Sequence, residues 1–521
     1  MNSAWSRASD AAPRPRPLSP SAARPLSAWL ARWAARLHRW LGVGFCLLLA
    51  MWFGTGFVML YVPFPALGEA ERLAAAPRLD LAAVSVAPAA AINGLAVSRL
   101  RLVQTLERPR YLATLDDGSV RSIAADGGAA PAPLDAAAAG QVAVALAGRG
   151  LRAVSALFDV DQWVVHQRFN AARPFYRVDI DDDAGTELYV SARLGQVVQR
   201  TTRFERGWNY VGAVAHWIYP TVLRKNHAAW DLVVWWLALG ALAAALTGYG
   251  LGLLRWLNLR RSGRRGLSPF RGWLRCHHVG GLVGGLFAIS WLFSGWLSMD
   301  HGRLFSLDQP SAGHEALLRG APLASSLQGL AARDLAAAGG ARELEFFVVA
   351  GQGYIIRRDA SRRDTLIPVL AGRLQAPLAA LPDALLLRAV QAAYAPLPVL
   401  GIDAIRADDA YAHARSDRLP PGARRVRLAD AGATWVHIDA QSGRILSQMD
   451  DSRRLYRWLF SGLHNVDFPW LNGAGVFRQG LMLAGLALGL VLAVSAVVLG
   501  MRRVSRECVR GYVRASVRRR S

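Results

Sequence analysis

Cysteine is scarce in this chain: three residues in 521, Cys46, Cys276 and Cys508. No two of them stand at the spacing of a zinc ribbon or of a covalent haem attachment, which excludes a c-type haem and a thiolate zinc site. Also missing are a glycine-rich phosphate loop, a dinucleotide-binding glycine fingerprint and a nucleophile elbow. Any flavin or nicotinamide would therefore belong to another protein. Nor do the carboxylates form a recognisable catalytic pair. Charge is short as well: 19% of residues are charged against 53% hydrophobic, with 18 Trp. That balance is too apolar for an ordinary soluble protein.

What stands in place of charge is four apolar runs, Leu41 to Val62, Leu232 to Leu254, Val279 to Met299 and Gly480 to Leu499. Each is long enough to span about 30 Å of hydrocarbon as a helix. The positive charge flanks them. Residues 1–40 carry seven Arg, 255–275 seven and 502–520 eight, opposed only by Asp10 and Glu507. Arg-rich short segments stay on the cytoplasmic side, so both termini and the 255–275 loop are expected to face in, as in a bacterial inner-membrane protein. A nucleic-acid-binding surface would account for a pI of 11.2 but not for this placement, so no nucleic-acid partner is expected. On this topology all three cysteines lie in the membrane or on its inner side, and the exported segments have no disulfide. The first run follows a leader of about 40 residues and is too long for a signal peptide, so it is read as a retained anchor.

The chain then divides into a disordered leader (1–28), a first span (29–62), a first periplasmic module (63–213) and an interfacial segment with the second span (214–256). An Arg-rich loop (257–275), a third span (276–299), a second module (300–457), an interfacial segment with the fourth span (458–501) and a basic tail (502–521) complete the chain. The expected fold is a membrane α-helical protein, four transmembrane helices in two parallel repeats, with two small α+β modules.

Self-comparison carries the repeat. His38 precedes Trp52 by 14 residues and Gly56 by 18, and His277 precedes Trp291 and Gly295 by the same spacings. Gly195 precedes His216 by 21 residues, as Gly443 precedes His464. Between them, at an offset of 248, Arg206 matches Arg454, Trp208 matches Tyr456 and Tyr210 matches Trp458.

Histidines gather where helices meet an interface. His38, His277 and His278 stand at the inner ends of the first and third spans, and His216 and His464 just before the second and fourth. Ionisable groups at such positions are costly and usually face a bundle interior or a cofactor. Two neutral imidazoles from facing helices suit the axial positions of a haem b, and Gly42, Gly44, Gly280, Gly281, Gly284 and Gly285 would let a flat macrocycle approach. One haem b at each face, two in all, is the expectation: His38 with His278 or its neighbour His277, and His216 with His464. The blander reading leaves an interfacial His bonded to a headgroup or loop carbonyl. His227 and His301 are weaker candidates, and His166, His314, His413 and His437 are expected at module surfaces.

Taken together, several segments resemble the PepSY-associated transmembrane family. They are Leu37-His38-Arg39-Trp40-Leu41-Gly42, Asp161-Gln162-Trp163-Val164, Arg173-Pro174-Phe175-Tyr176-Arg177-Val178, Leu188 to Gly195 leading into Ala215-His216-Trp217, His277-His278 with Gly280-Gly281, Ser294 to Met299, and Leu463-His464-Asn465-Val466-Asp467-Phe468-Pro469. The likeness covers about 30–505. It implies PepSY-like modules and a haem-bearing reductase that frees iron from a ferric siderophore or other iron chelate in the periplasm. The electrons would come from a cytoplasmic or quinone donor, and His38, His277, His278, His216 and His464 would be the cofactor-binding residues. The other function class the family allows is a non-redox membrane protein that regulates a periplasmic peptidase or senses metal.

Overall fold

Four helices are long and apolar enough to cross a membrane: Leu26–Tyr61, His227–Arg261, Gly272–Leu297 and Gly475–Arg518. They appear in a computed structural model that describes residues 26–518, apart from 107, 306–310, 361–363, 413–417 and 473–474. Most of the leader expected at 1–28 lies outside the described residues. The shortest of the four, 26 residues, extends about 39 Å. The first helix packs on the second and fourth, and so does the third, which puts the first and third across a diagonal of the bundle. Glycines let large rings sink between the helices. A Cβ on Gly489 would fall 2.2 Å from the Phe53 ring, and one on Gly485 would fall 2.7 Å from that of Trp291. Leu47, Trp236, Leu286 and Val491 point away from the bundle, as side chains facing hydrocarbon do. The 262–271 connection, the start of the first helix and the end of the fourth lie at one end of the bundle, and the described residues between the first and second helices and between the third and fourth lie at the other.

That other end carries, among the described residues, fifteen strands in three antiparallel sheets. The first stretch supplies β1 (Val97–Thr105), β2 (Arg108–Leu115), β3 (Val120–Ala124), β4 (Leu151–Val154), β5 (Phe175–Ile180), β6 (Glu187–Ser191) and β7 (Gln196–Thr201). The second supplies β8 (Glu343–Val349), β9 (Gln352–Arg358), β10 (Thr365–Leu370), β11 (Arg373–Leu374), β12 (Val399–Ala404), β13 (Arg424–Leu428), β14 (Trp435–Ile438) and β15 (Ile445–Met449). Strands β4–β7 form one sheet, covered by helix Ala136–Ala147, and β12–β15 another, covered by Asp383–Ala393. Each leads through a short helix, Arg203–Asn209 or Asp451–Arg457, into a π-helical turn, Tyr210–Val214 or Trp458–Gly462.

The modules are not separate bodies. β1 pairs antiparallel with β8, joining the two stretches in a seven-stranded sheet of order β11-β10-β9-β8-β1-β2-β3. Alone, each half would leave an unpaired strand edge, and the pairing removes both. One face buries a core drawn from both halves, including Leu100, Tyr111, Phe346 and Ile355. The other face is charged at the seam. Glu343 and Glu345, each 1% exposed, meet Arg72, Arg101 and Arg358, and Arg99, Arg358 and Arg444 respectively. Burial raises the pKa of both carboxyls, but the surrounding guanidiniums outweigh it and hold each below the ordinary carboxylate range.

Candidate functional site: two facing pairs of histidines

His38 and His277 sit on the diagonal helices, near the bundle end that carries the 262–271 connection. Their ring centres are 6.2 Å apart. His38 Nδ1 shares a hydrogen bond of 2.9 Å with the Ala244 carbonyl of the second helix, and His277 Nδ1 one of 3.0 Å with Ser495 Oγ of the fourth. The His38 ring packs against bare backbone, since a Cβ on Gly248 would stand 2.4 Å from its Cε1.

The second pair lies at the module end. His216 and His464 come just after the two π turns, and their ring centres are 6.5 Å apart. A π turn holds one extra residue in a helix and so rotates the residues beyond it. His216 Nδ1 bonds Thr55 Oγ1 of the first helix at 2.8 Å, and His464 Nδ1 bonds Ser294 Oγ of the third at 3.0 Å. Two tryptophans fix the backbone at these positions: Trp52 Nε1 donates to the His216 carbonyl at 2.8 Å and Trp291 Nε1 to the His464 carbonyl at 3.0 Å.

All four rings therefore have Nδ1 engaged by the protein, and among the described residues none has a partner on Nε2. They are half-buried, so each keeps some open surface. Two imidazole–metal bonds of about 2 Å leave the bonding nitrogens about 4 Å apart and, with a ring radius at either end, the ring centres roughly 6 Å apart. Both pairs stand at that separation. Ligating histidines characteristically give their other ring nitrogen to a protein group that fixes tautomer and orientation. The residues thus fit a planar iron macrocycle with an imidazole on each face. One turn beyond His38, Gly42 has no described atom within 4 Å of where a Cβ would stand, which leaves room beside the ring. Among the described residues no three His, Cys, Asp or Glu side chains cluster as a metal site, so two-ligand geometry is what the chain offers. Seventeen residues separate His38 from Thr55 and His277 from Ser294, placing the pairs about 25 Å apart along the bundle. The layer between them is apolar, built on Phe53, Ala288, Leu486 and Ala493 in one cluster and Ala241, Leu242 and Leu292 in another.

The other histidines are engaged elsewhere. His278, one of the two neighbours read from sequence as the iron ligand beside His38, turns away: its Nε2 bonds the Gly252 carbonyl at 3.1 Å and its ring packs on Phe270. Neighbours on a helix point about 100° apart, and only His277 faces His38. His227 is exposed beside Trp230. His301 Nδ1 bonds Asp231 at 2.5 Å. His166 and His314 cap short helices, and His413 lies outside the described residues. His437 is not a surface residue: it is fully buried, takes a hydrogen bond from Arg425 Nε on its Nε2 and bonds Ser447 through Nδ1. Burial, then the Arg425 charge, pushes its pKa down to about 4.

Sequence reasoning named the rings and missed their Nδ1 partners. Thr55 and Ser294 carry a signal that could have found them: both are hydroxyl residues 17 places after a paired histidine. A cavity of about 340 Å³ opens on the sheet seam, lined by Arg99, Arg319, Phe347 and Arg444 among others. It lies at the far end of β15 from the helix that leads to His464, so it does not belong to the histidine site. Comparison of the chain with protein-family models and with curated proteins finds no match.

Proposed function

We propose that the protein is an inner-membrane electron conduit that reduces ferric chelates, siderophore-bound iron among them, on the periplasmic side with electrons from the cytoplasmic side. The observation that carries the reading is the four imidazoles: two pairs, each at axial-ligand separation, each ring anchored through Nδ1. His38 with His277 would hold one haem b and His216 with His464 the other. When bound, the haems supply reversible one-electron chemistry at two depths of the membrane.

The chain's own part is positional. Ala244, Ser495, Thr55 and Ser294 hold each ring through Nδ1 and leave its Nε2 without a protein partner among the described residues, and the two tryptophans fix the helices that present the outer pair. The apolar middle layer keeps water out of the path. At the outer face one electron converts the chelated ferric ion to ferrous. Hard oxygen-rich chelators hold ferrous iron much less well, so the metal is released. The Arg-rich chain ends and 262–271 connection support a cytoplasmic location for that end of the bundle, and hence a periplasmic one for the sheets. The matching succession of elements in the two halves, with Arg203–Asn209 and Asp451–Arg457 standing 248 residues apart, supports descent from a parallel duplication. It also supports the resemblance to the PepSY-associated family.

The test is an absorption spectrum of purified protein, oxidised and then dithionite-reduced. A b-type Soret shift is expected, with haem content about halved in His216→Ala and again in His38→Ala. A colourless protein, or haem content indifferent to both changes, overturns the reading.

A further inference from the structure

The chain enters its second span through Pro220-Thr221-Val222-Leu223-Arg224-Lys225-Asn226-His227. Arg224 is 2% exposed. Its guanidinium lies over the rings of Tyr219 and Trp230, at 5.0 and 4.7 Å, and its Nη2 donates to Gln167 Oε1 at 2.6 Å. Its Nε and Nη1 have no partner among the described residues. No carboxylate among the described residues pairs with it. The other buried arginines are provided for: Arg358 meets Glu343 and Glu345, Arg454 meets Asp451, Arg457 meets Asp467, and Arg478 donates twice to the Asn465 carbonyl. A guanidinium withdrawn from water without a counter-charge is costly, and aromatic stacking offsets only part of that.

The surroundings add positive charge rather than cancel it. Arg168 and Lys225 are exposed around the buried group, with His166 and His227 beside them. Partial burial, then the charges of Arg224, Arg168 and His227, hold the His166 imidazole below its ordinary value, so these groups share one neighbourhood. None of Arg168, Arg224, Lys225 and His227 forms an ion pair among the described residues. The depth of the cluster is set by what flanks it. Asn226 caps the spanning helix through Ala229 N at 3.1 Å, and the exposed Trp217 and Trp236 lie to either side along the chain. That is the level of lipid headgroups.

We propose that Arg224, with Arg168, Lys225 and His227 at its rim, binds the phosphate of an anionic phospholipid in the leaflet on the module side. A phosphodiester presents the paired oxygens that a guanidinium fork matches, and a headgroup at this depth is held close to the site. The inference does not depend on haem, and its test reads lipid alone.

Full-length protein, stripped of lipid in detergent, is titrated with phosphatidylglycerol, with phosphatidylcholine and with inorganic phosphate. Thermal melting and the lipid retained in native mass spectra are recorded. Phosphatidylglycerol is expected to raise the melting temperature and to remain bound, with retention about tenfold weaker in Arg224→Gln and partly restored in Arg224→Lys. Since Arg224→Gln could fail to fold, the exposed double change Arg168→Gln with Lys225→Gln serves as the second variant, with weakened retention at unchanged lipid-free melting. Equal effects of phosphatidylcholine, a full shift from inorganic phosphate alone, or retention unchanged in the double variant overturns the proposal.

Discussion

At the scale of the residue, the histidine pairs differ from ordinary interfacial histidines in what holds them. A lone imidazole at a membrane face can bond a headgroup and rotate. Here each Nδ1 is engaged at 2.8–3.0 Å by a group on a neighbouring helix, so the ring cannot turn without breaking that bond. Removing the second partner is therefore a sharper test of ligation than removing the ring. In Thr55→Val the shape is kept and the acceptor is lost, so His216 should lose its fixed orientation. The expected result is a 10- to 100-fold loss in haem affinity at the outer pair, the usual scale for such partners, with a shifted reduction potential there. Thr55→Ser, which keeps the hydroxyl, should restore both. Spectroelectrochemical titration checks this; a Thr55→Val protein with unaltered content and potential would separate the hydroxyl from ligation. The choice between His277 and His278 belongs to this scale too. Adjacent in sequence and alike in chemistry, they are told apart only by the fourth helix, whose Ser495 meets one, and the second, whose Gly252 carbonyl meets the other.

At the scale of the element, the two π turns decide where the outer pair points. Tyr210–Val214 contains Gly212 with φ −102° and ψ −108°, outside helical values. A Cβ there would stand 2.8 Å from Val58, so the turn needs glycine for closeness as well as for shape. Inserting one alanine after Ala213, a second extra residue that the turn has no room to absorb, should swing His216 by about 100° from His464. The inner-pair absorption should survive and the outer-pair absorption should vanish, as low-temperature spectra of the two bands would show. Elements were also where sequence was most legible. The four apolar runs became four helices, though the helices run further: the first begins at Leu26 and the fourth reaches Arg518, because Arg-rich flanks stay helical beyond the hydrocarbon. The two glycines matched by the self-comparison stand at equivalent turns, Gly195 between β6 and β7 and Gly443 between β14 and β15. The π turns were not legible, since nothing in Tyr210-Val-Gly-Ala-Val departs from a helix-compatible pattern. His437 was misjudged for a similar reason: a single polar residue in strand β14 does not say which face of the sheet it occupies, and this one faces Arg425 and Ser447 inside.

At the scale of the whole molecule, the seven-stranded sheet makes one body of what the sequence presents as two. Its central pairing joins residues 240 or more apart, such as Leu102 with Leu344, and no local pattern announces a partner at that distance. The seam is held by charge. Glu345 is 1% exposed and faces Arg99, Arg358 and Arg444, which come from β1, from β9 and from the turn before β15. Neutralising it in Glu345→Gln would leave three guanidiniums crowded at the join with one acceptor fewer, and loss of one partner from a buried ionic group typically costs about 3–5 kcal/mol. That loss should not spread evenly. β1–β3 keep their own pairing, as do β8–β11, so the weak point is the β1–β8 pairing. Hydrogen exchange should speed up first at Leu100–Val103 and Glu343–Phe346, while the four-helix bundle keeps its protection. Because His216 and His464 hang from opposite halves, a loosened seam should also broaden the outer-pair spectrum and leave the inner pair, held by helices alone, unchanged. If exchange instead rose uniformly through both halves, the buried charges would be supporting the fold at large and not the union of its two parts.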